Sequence, residues 1–377
     1  MRLPDAPQAW DRAAAAIFAR SAWPMALQLG LADLGFGLHS DLRLEFLQVA
    51  EMLLPHFEPR CAGAGDWRVV FTADSSLPMP DDGAPQPIAR THGSSPVDGL
   101  AWAGGGEAGW LWVRDLRYGA LVGICEHARR LLILSQSSTE AHAFGPSASA
   151  TVACAAIRLI VRSHLARLGG LVLHAAAVAI GSGAFLLLGA KGAGKSTVQL
   201  ALMARLGAGY VASDRCFVFA AGEGVQVSGW PSRFRVASSS LALVPTALRT
   251  ASARSPIEKH EFGAVDVALS LGVPLPAVLG LAGLIHVDRS PERDGWTVAE
   301  GDASSLVETH RFGLPDPSYA NWLWLSDSDQ ATADLAAAVR QRLQTVPSLV
   351  LTGNGSPAGA AEAVRDWCRT YWPAEAV

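Results

Sequence analysis

Apolar positions recur at helical spacing through residues 8–30, in an Ala-rich stretch where Pro24 marks a break, and this predicts a helix. Residues 42–54 repeat the amphipathic pattern. The period then shortens. Residues 67–71 form a compact apolar run of strand length, and 110–113, 120–124 and 131–134 read as a meander of strands. Between them, residues 75–109 are rich in Pro, Gly, Ser and Asp, which predicts a long loop or a poorly ordered surface. Residues 148–168 return to helical spacing and close at Gly169-Gly170, a stop signal.

The pattern changes beyond Gly170. Residues 171–178 and 184–188 predict two buried strands, followed by a Gly-rich loop and a helix over 195–206. A third strand at 210–212 closes on Ser213-Asp214-Arg215. Residues 217–219 and 225–227 flank Gly222-Glu223-Gly224 as a hairpin. Residues 281–287 predict another buried strand, and helices over 328–345 and 357–371 enclose a strand at 349–351. No internal repeat is present. The reading is an α+β N-terminal domain over 1–168, suited to acceptor recognition or oligomerisation, and an α/β domain over 169–377.

Composition narrows the picture in a few places. A chain of 377 residues has room for about two domains at roughly 100–200 residues each. Half of it is hydrophobic, which provides a sizeable core. The net charge of −4 argues against nucleic-acid binding through bulk charge, and the basic residues are not interleaved with aromatics. The cysteines Cys61, Cys125, Cys154, Cys216 and Cys368 are widely spaced with no CxxC pair, so they read as small buried apolar residues. The start, Met1-Arg2-Leu3-Pro4-Asp5, has no apolar signal run, and no apolar stretch reaches membrane-spanning length. A cytoplasmic protein without membrane partners is the expectation. A G-x-S-x-G elbow and an H-E-x-x-H pair are both absent, and Ser182 between two glycines reads as a turn.

The strongest chemical signal is Gly189-Ala190-Lys191-Gly192-Ala193-Gly194-Lys195-Ser196, which matches G-x-x-x-x-G-K-[S/T] and is followed by Thr197. An apolar strand precedes it and an amphipathic helix follows, the context a P-loop needs. Glycines let backbone N–H groups curl around phosphate oxygens, and the helix N-terminus adds positive potential there. Lys195 is expected to reach the β- and γ-phosphates, and Ser196 to give a hydroxyl to Mg²⁺. Phosphoryl transfer also needs a carboxylate for metal or base. Asp214, at the end of the next strand, fits that need; its bland alternative is a turn cap. His174 sits in an apolar strand and, taken alone, reads as a core residue.

Together these pieces resemble the catalytic domain of the HPr serine kinase family, which shares its architecture with ATP-dependent phosphoenolpyruvate carboxykinases. The resemblance rests on Leu-His-Ala-Ala-Ala-Val at 173–178, the P-loop at 189–196 and Val-Ala-Ser-Asp-Arg at 211–215, and covers about residues 171–290. It implies that His174, Lys195 and Asp214 are catalytic, with Ser196 and Asp214 at the metal. The family usually has Asp-Asp where this chain has Ser213-Asp214, so only Asp214 matches. The N-terminal part is more similar to stand-alone HPr-kinase-related proteins of peptide natural-product pathways. Some of those, in lasso-peptide pathways, phosphorylate a serine on the precursor peptide. Family kinases often assemble as hexamers, which places a homo-oligomer among the implied partners.

Arg233 and Arg235 follow Gly229-Trp230-Pro231 and could bridge phosphate oxygens or form a solvated strand edge. Lys259, in Lys259-His260-Glu261, stands where related kinases often carry a basic residue near the γ-phosphate or acceptor. His286, Asp288 and Arg289 end a strand and are candidates for the site edge. The expected reaction is transfer of the γ-phosphoryl of ATP, with Mg²⁺, to a hydroxyl, in first place a serine of a peptide or small protein. GTP stays open, since no base-reading motif is legible. A small-molecule kinase and a nucleotide-switched binding module are the rival readings.

Overall fold

The structure is a computed structural model and describes residues 5–19, 22–31, 33–61, 63, 66–72, 86–87, 100–105, 109–115, 120–125, 127–135, 148–249, 253–254, 259–311 and 330–372. The chain is α/β, and divides into two compact units. One gathers Met1–Ala50 and Glu58–Val161; the other gathers Glu51–Phe57, Arg162–Phe312 and Ser326–Val377. No helix among the described residues is long and apolar enough to cross a membrane.

In the first unit the order is α1 (Asp5–Phe18), β1 (Met25–Leu31), β2 (Leu34–Ser40), α2 (Arg43–Leu53), β3 (Glu58–Pro59), β4 (Trp67–Thr72), β5 (Gln86–Pro87), β6 (Leu100–Gly105), β7 (Leu111–Asp115), β8 (Ala120–Cys125) and β9 (Arg130–Ser135), after which α3 (Ala148–Arg167) runs on. The helix expected over 8–30 stops before Pro24, and its second half is β1. From Met25 the pattern Met-Ala-Leu-Gln-Leu-Gly-Leu alternates with period two, and each residue has a ladder partner on β2, from Met25↔Ser40 to Leu31↔Leu34. The Ala-rich stretch before it masked that change of period. Inside the segment expected to be loop, β6 pairs with β7 across a bulge at Trp102/Gly104. Tertiary pairing overrides its poor strand composition. Residues 75–85, 88–99 and 106–108 of that segment lie outside the described residues. The sheet runs β3-β1-β2-β4-β9-β8-β7-β6-β5, parallel only at β2–β4 and β4–β9. Ala14, Ile17 and Phe18 of α1 pack with Trp110, Trp112, Leu121 and Leu132. The buried carboxylate of Asp11 accepts from Trp112 Nε1 at 3.0 Å, so the indole N–H is satisfied within this core.

The second unit continues with β10 (Leu171–Leu173), β11 (Ala176–Ile180), β12 (Gly183–Leu188), α4 (Lys195–Leu206), β13 (Gly209–Ala212), β14 (Cys216–Ala221), β15 (Gly224–Gly229), β16 (Phe234–Ala237), α5 (Thr246–Arg249), β17 (Ala253–Arg254), β18 (Lys259–Phe262), α6 (Ala264–Leu271), β19 (Val278–Arg289), β20 (Trp296–Glu300), α7 (Ala303–His310), α8 (Gln330–Leu343), β21 (Ser348–Gly353) and α9 (Pro357–Tyr371). The strand expected over 171–178 is broken at His174-Ala175. Its first part pairs with β14 and its second with β12 and β13, so the chain changes ladders there. Conversely, β19 outruns the expected 281–287 because it serves three neighbours: β15 along Val278–Gly280, β12 along Leu281–His286 and β21 along Leu284–Arg289. The strands β16, β18 and β17 form a separate small sheet in that order.

The central strands are buried on both faces, which is why they read as continuous apolar runs. Phe185, Leu187, Ile285 and Val287 meet Val198 and Leu202 of α4 and Val364 and Trp367 of α9. Leu186, Leu188 and Leu284 meet Leu306 and Val307 of α7 and Val339 and Leu343 of α8. One polar side chain enters this layer. Gln199 of α4 is fully buried, and its Nε2 donates to Ala177 O at 3.1 Å and Ala212 O at 2.6 Å. Those carbonyls belong to β11 and β13 where a register shift at Ala177/Val178 interrupts the ladder. Replacing Gln199 with Leu keeps the bulk but removes both donors, and an unsatisfied buried polar group costs about 1–3 kcal/mol. Gln199→Leu is therefore expected to lower the urea-unfolding free energy by about 1–3 kcal/mol; an unchanged midpoint would show that the bridge contributes nothing.

Candidate functional site

Strand directions bring the candidate residues to one edge. β11 is antiparallel to both β12 and β13, so β12 and β13 end on the same side and β11 begins there. β19, parallel to β12, also ends there. The loop at 189–194 leaves β12, Ser213-Asp214-Arg215 leaves β13, His174 precedes β11, and His286 is the ladder partner of Leu188. The C-terminal edge of strands in such sheets is where ligands bind.

The loop conformation requires its glycines. Gly189 has φ 144°, and a Cβ there would lie 2.4 Å from Val287 O. Gly194, at φ 98°, sits just before the first turn of α4. Lys195 is buried, and its Nζ donates to Gly189 O at 2.7 Å and Ala190 O at 3.2 Å, curling back over its own loop. Burial lowers its pKa, and the nearby Asp214 carboxylate opposes that shift. Ala190, Lys191 and Gly192 are exposed, Ala193 is buried, and Ser196 is half-buried. The Thr197 hydroxyl is engaged with Ser240, Oγ1 to Oγ 2.5 Å.

His174 and Asp214 meet in a notch made by two neighbouring changes of ladder. Just as β10 passes to β11 at His174-Ala175, β13 passes to β14 at Ser213-Asp214-Arg215, and β10 pairs with β14 while β11 pairs with β13. His174 Nε2 lies 3.5 Å from Asp214 Oδ1. That hydrogen bond outweighs partial burial and, helped by the charges of Arg215 and Arg235, holds the Asp214 pKa down at about 2. Asp214 is thus an ionised carboxylate, and with 44% of its side chain exposed it is within reach of a ligand. Ser213 points the other way. It is buried, with Oγ donating to Arg233 O at 3.4 Å, and a carboxylate in its place would lie in that buried setting. Cys216 Sγ donates to Ala175 O at 3.3 Å across the notch, and burial pushes that thiol's pKa well up.

The small sheet supplies two further cations. Arg235 is among the charges acting on Asp214, and its Nε donates to Glu261 Oε1 at 2.9 Å on the paired strand. Lys259 acts electrostatically on Lys195. Arg233 instead lies 4.0 Å from Glu51 Oε1. Sequence reasoning missed His310, at the end of α7. Its carbonyl accepts from His174 N at 2.8 Å, and its ring centroid is 5.6 Å from that of His286. No local motif marks it; only tertiary packing brings it here. Gln199 was missed as well, although a lone polar residue in the apolar run Val198–Met203 was its signal.

No family model and no curated protein matches the chain. Among solved structures, it is similar to the HPr(Ser) kinase/phosphatase from Coxiella burnetii, at 18% identity and a TM-score of 0.21, over 32% of this chain and 66% of that one.

His310 and Asp214 at this edge both shape its acid behaviour. His310 is buried, and its Nε2 finds no hydrogen-bond partner among the described residues. Burial first, then His286, Lys195 and His174, push its pKa from 6.5 down to about 4. The unfolded chain therefore takes up this proton first. The stability due to neutral His310 is whole above 6.5 and is lost as pH falls toward about 4. Asp214 works in a lower window: its contribution is present above 3.8 and is lost as pH falls through about 2. The urea-unfolding free energy is expected to drop between about 6.5 and about 4, and His310→Gln to flatten that drop. An identical slope in the variant would remove His310 as its source.

Proposed function

We propose that the protein is an ATP-dependent phosphotransferase that moves the γ-phosphoryl group to a hydroxyl, with a serine of a peptide or small protein as the acceptor class. The observation that carries this reading is the juxtaposition of Lys195 with an ionised, His174-bonded Asp214 at one strand edge. A phosphate loop alone would bind a nucleotide. A reachable carboxylate beside its lysine adds a group that can address an acceptor.

The chain's groups divide the work as follows. The amides of 189–194 and Lys195 hold the phosphates. A Cβ at Gly192 or Gly194 would meet nothing within 4 Å, so the backbone there is open to phosphate oxygens. The Ser196 hydroxyl and the Asp214 carboxylate are oxygen ligands of the kind Mg²⁺ takes, so the site suits the ion. When bound, Mg²⁺ would neutralise charge on the β- and γ-phosphoryl oxygens. Asp214 accepts the hydrogen bond of the acceptor hydroxyl and aims its oxygen at the phosphorus. As the new O–P bond forms and the bond to the ADP oxygen breaks, the hydroxyl proton passes to Asp214. A carboxylate with a pKa near 2 is a weak base, and general-base efficiency is greatest for a pKa near the working pH. Orientation is therefore its larger contribution, in keeping with a loose transition state that asks little of a base. His174 holds the carboxylate in place, and Arg235 and Lys259 add positive potential for the γ-phosphate or the acceptor.

Lys195→Ala is expected to abolish transfer, and Asp214→Asn to slow it by about 10²-fold, the scale of a lost positioning contact, while nucleotide still binds. The measurement is mass spectrometry of serine peptides and small hydroxyl metabolites incubated with the protein and Mg-ATP. Full activity in Lys195→Ala would sink the mechanism, and phosphate appearing only on metabolites would replace the acceptor class.

A further inference from the structure

His286 has a place in the fold that the scheme above leaves unused. It is the β19 partner of Leu188, the last residue before the loop, so it lies beside the point where the loop leaves the sheet. Gly189, with no Cβ, packs directly against the carbonyl of the next residue, Val287. His286 is half-buried and alternates with Leu284, which faces the α7 and α8 layer; from that layer His310 brings its ring to 5.6 Å at a tilt of 41°. The charged groups facing this pair are Lys195 from α4 and Asp288 from β19 itself, with His174 facing His310 from the β10–β11 link. Two imidazoles and the Lys195 ammonium thus share one strand edge. The His310 Nε2 is buried and has no hydrogen-bond partner among the described residues, and the His286 ring is the more accessible of the two.

We propose that His286 is a phosphate-contacting residue, donating a hydrogen bond to a phosphoryl oxygen of the bound nucleotide, and that His310 is a positioning residue that packs behind it and holds its ring. This rests on the phosphotransferase reading and adds to it a ligand contact and a proton. In the free protein, burial and the Lys195 charge lower the His286 pKa against the pull of Asp288, so near neutral pH the ring is uncharged. An arriving polyanion reverses the balance, because a neighbouring negative charge favours the protonated form. His286 then takes one proton from solvent and donates a charge-assisted hydrogen bond. His310, deeper and with its own pKa at about 4, stays neutral.

The test is calorimetric titration of the full chain with ATP at saturating Mg²⁺, in buffers of different ionisation enthalpy. Near neutral pH, wild-type protein is expected to take up as much as about one proton per nucleotide bound, with affinity rising up to about tenfold per unit fall in pH toward the His286 titration. His286→Gln is expected to bind more weakly and lose the uptake. His310→Gln is expected to keep the uptake but shift its pH midpoint. Binding without proton uptake in wild-type protein overturns the proposal and leaves the phosphotransferase reading standing, as does full uptake in His286→Gln. An unmoved midpoint in His310→Gln overturns the positioning role. Absence of ATP binding by wild-type protein at every pH brings down both. Should His286→Gln fail to fold, the wild-type uptake and its pH profile decide alone.

Discussion

Everything at the strand edge depends on two adjacent segments changing ladders at the same level. A backbone that leaves one sheet for another must satisfy its polar groups by other means. Here the substitutes are specific: His174 N donates to His310 O, Cys216 Sγ to Ala175 O, and Trp230 N to Arg215 O. Each ties a site residue or its neighbour to a different element. The same break that interrupts the strand therefore fixes His174 and Asp214 against each other, and sets α7 close enough to add His310.

Rigidity behind the edge comes from layers on both faces of β12 and β19. Helices α4 and α9 cover one face and α7 and α8 the other, so neither strand end can slide without disturbing two packed interfaces. Gln199 extends the hold to the register shift between β11 and β13, one turn along α4 from Lys195. The lysine and the carboxylate are thereby supported by the same helix.

Local chemistry was legible where it recurs over short spans. The strand at 184–188, the glycines with positive φ and the helix from Lys195 all follow from residues within one turn of each other. Short runs such as 67–71 and 131–134 also became strands. Legibility failed where a long-range partner decides the outcome. Met25–Leu31 became a strand because Leu34–Ser40 pairs with it, and Leu100–Gly105 because Leu111–Asp115 does. The break at His174 could not be read from Leu-Val-Leu-His-Ala-Ala-Ala-Val, because the run has no Gly, Pro, Asn or Asp to mark a turn and only the competing ladders separate its two parts. Ser213 illustrates the same point. In the sequence it is a missing acid; in the fold it is an inward-facing hydroxyl bonded to Arg233 O.

The Lys195 ammonium donates to two carbonyls of its own loop. A buried cation left bare would be costly, and these bonds remove that cost. They also set what any other acceptor has to match. A neutral guest offers the ammonium no better acceptor than it already has, so opening the loop for such a guest yields no return. The bonds to the carbonyls are already charge-assisted on the donor side, and an anionic oxygen adds direct Coulomb attraction to the ammonium, which a neutral acceptor cannot. The carbonyls that hold the ammonium thus also set a threshold: an oxygen that replaces them has to carry charge.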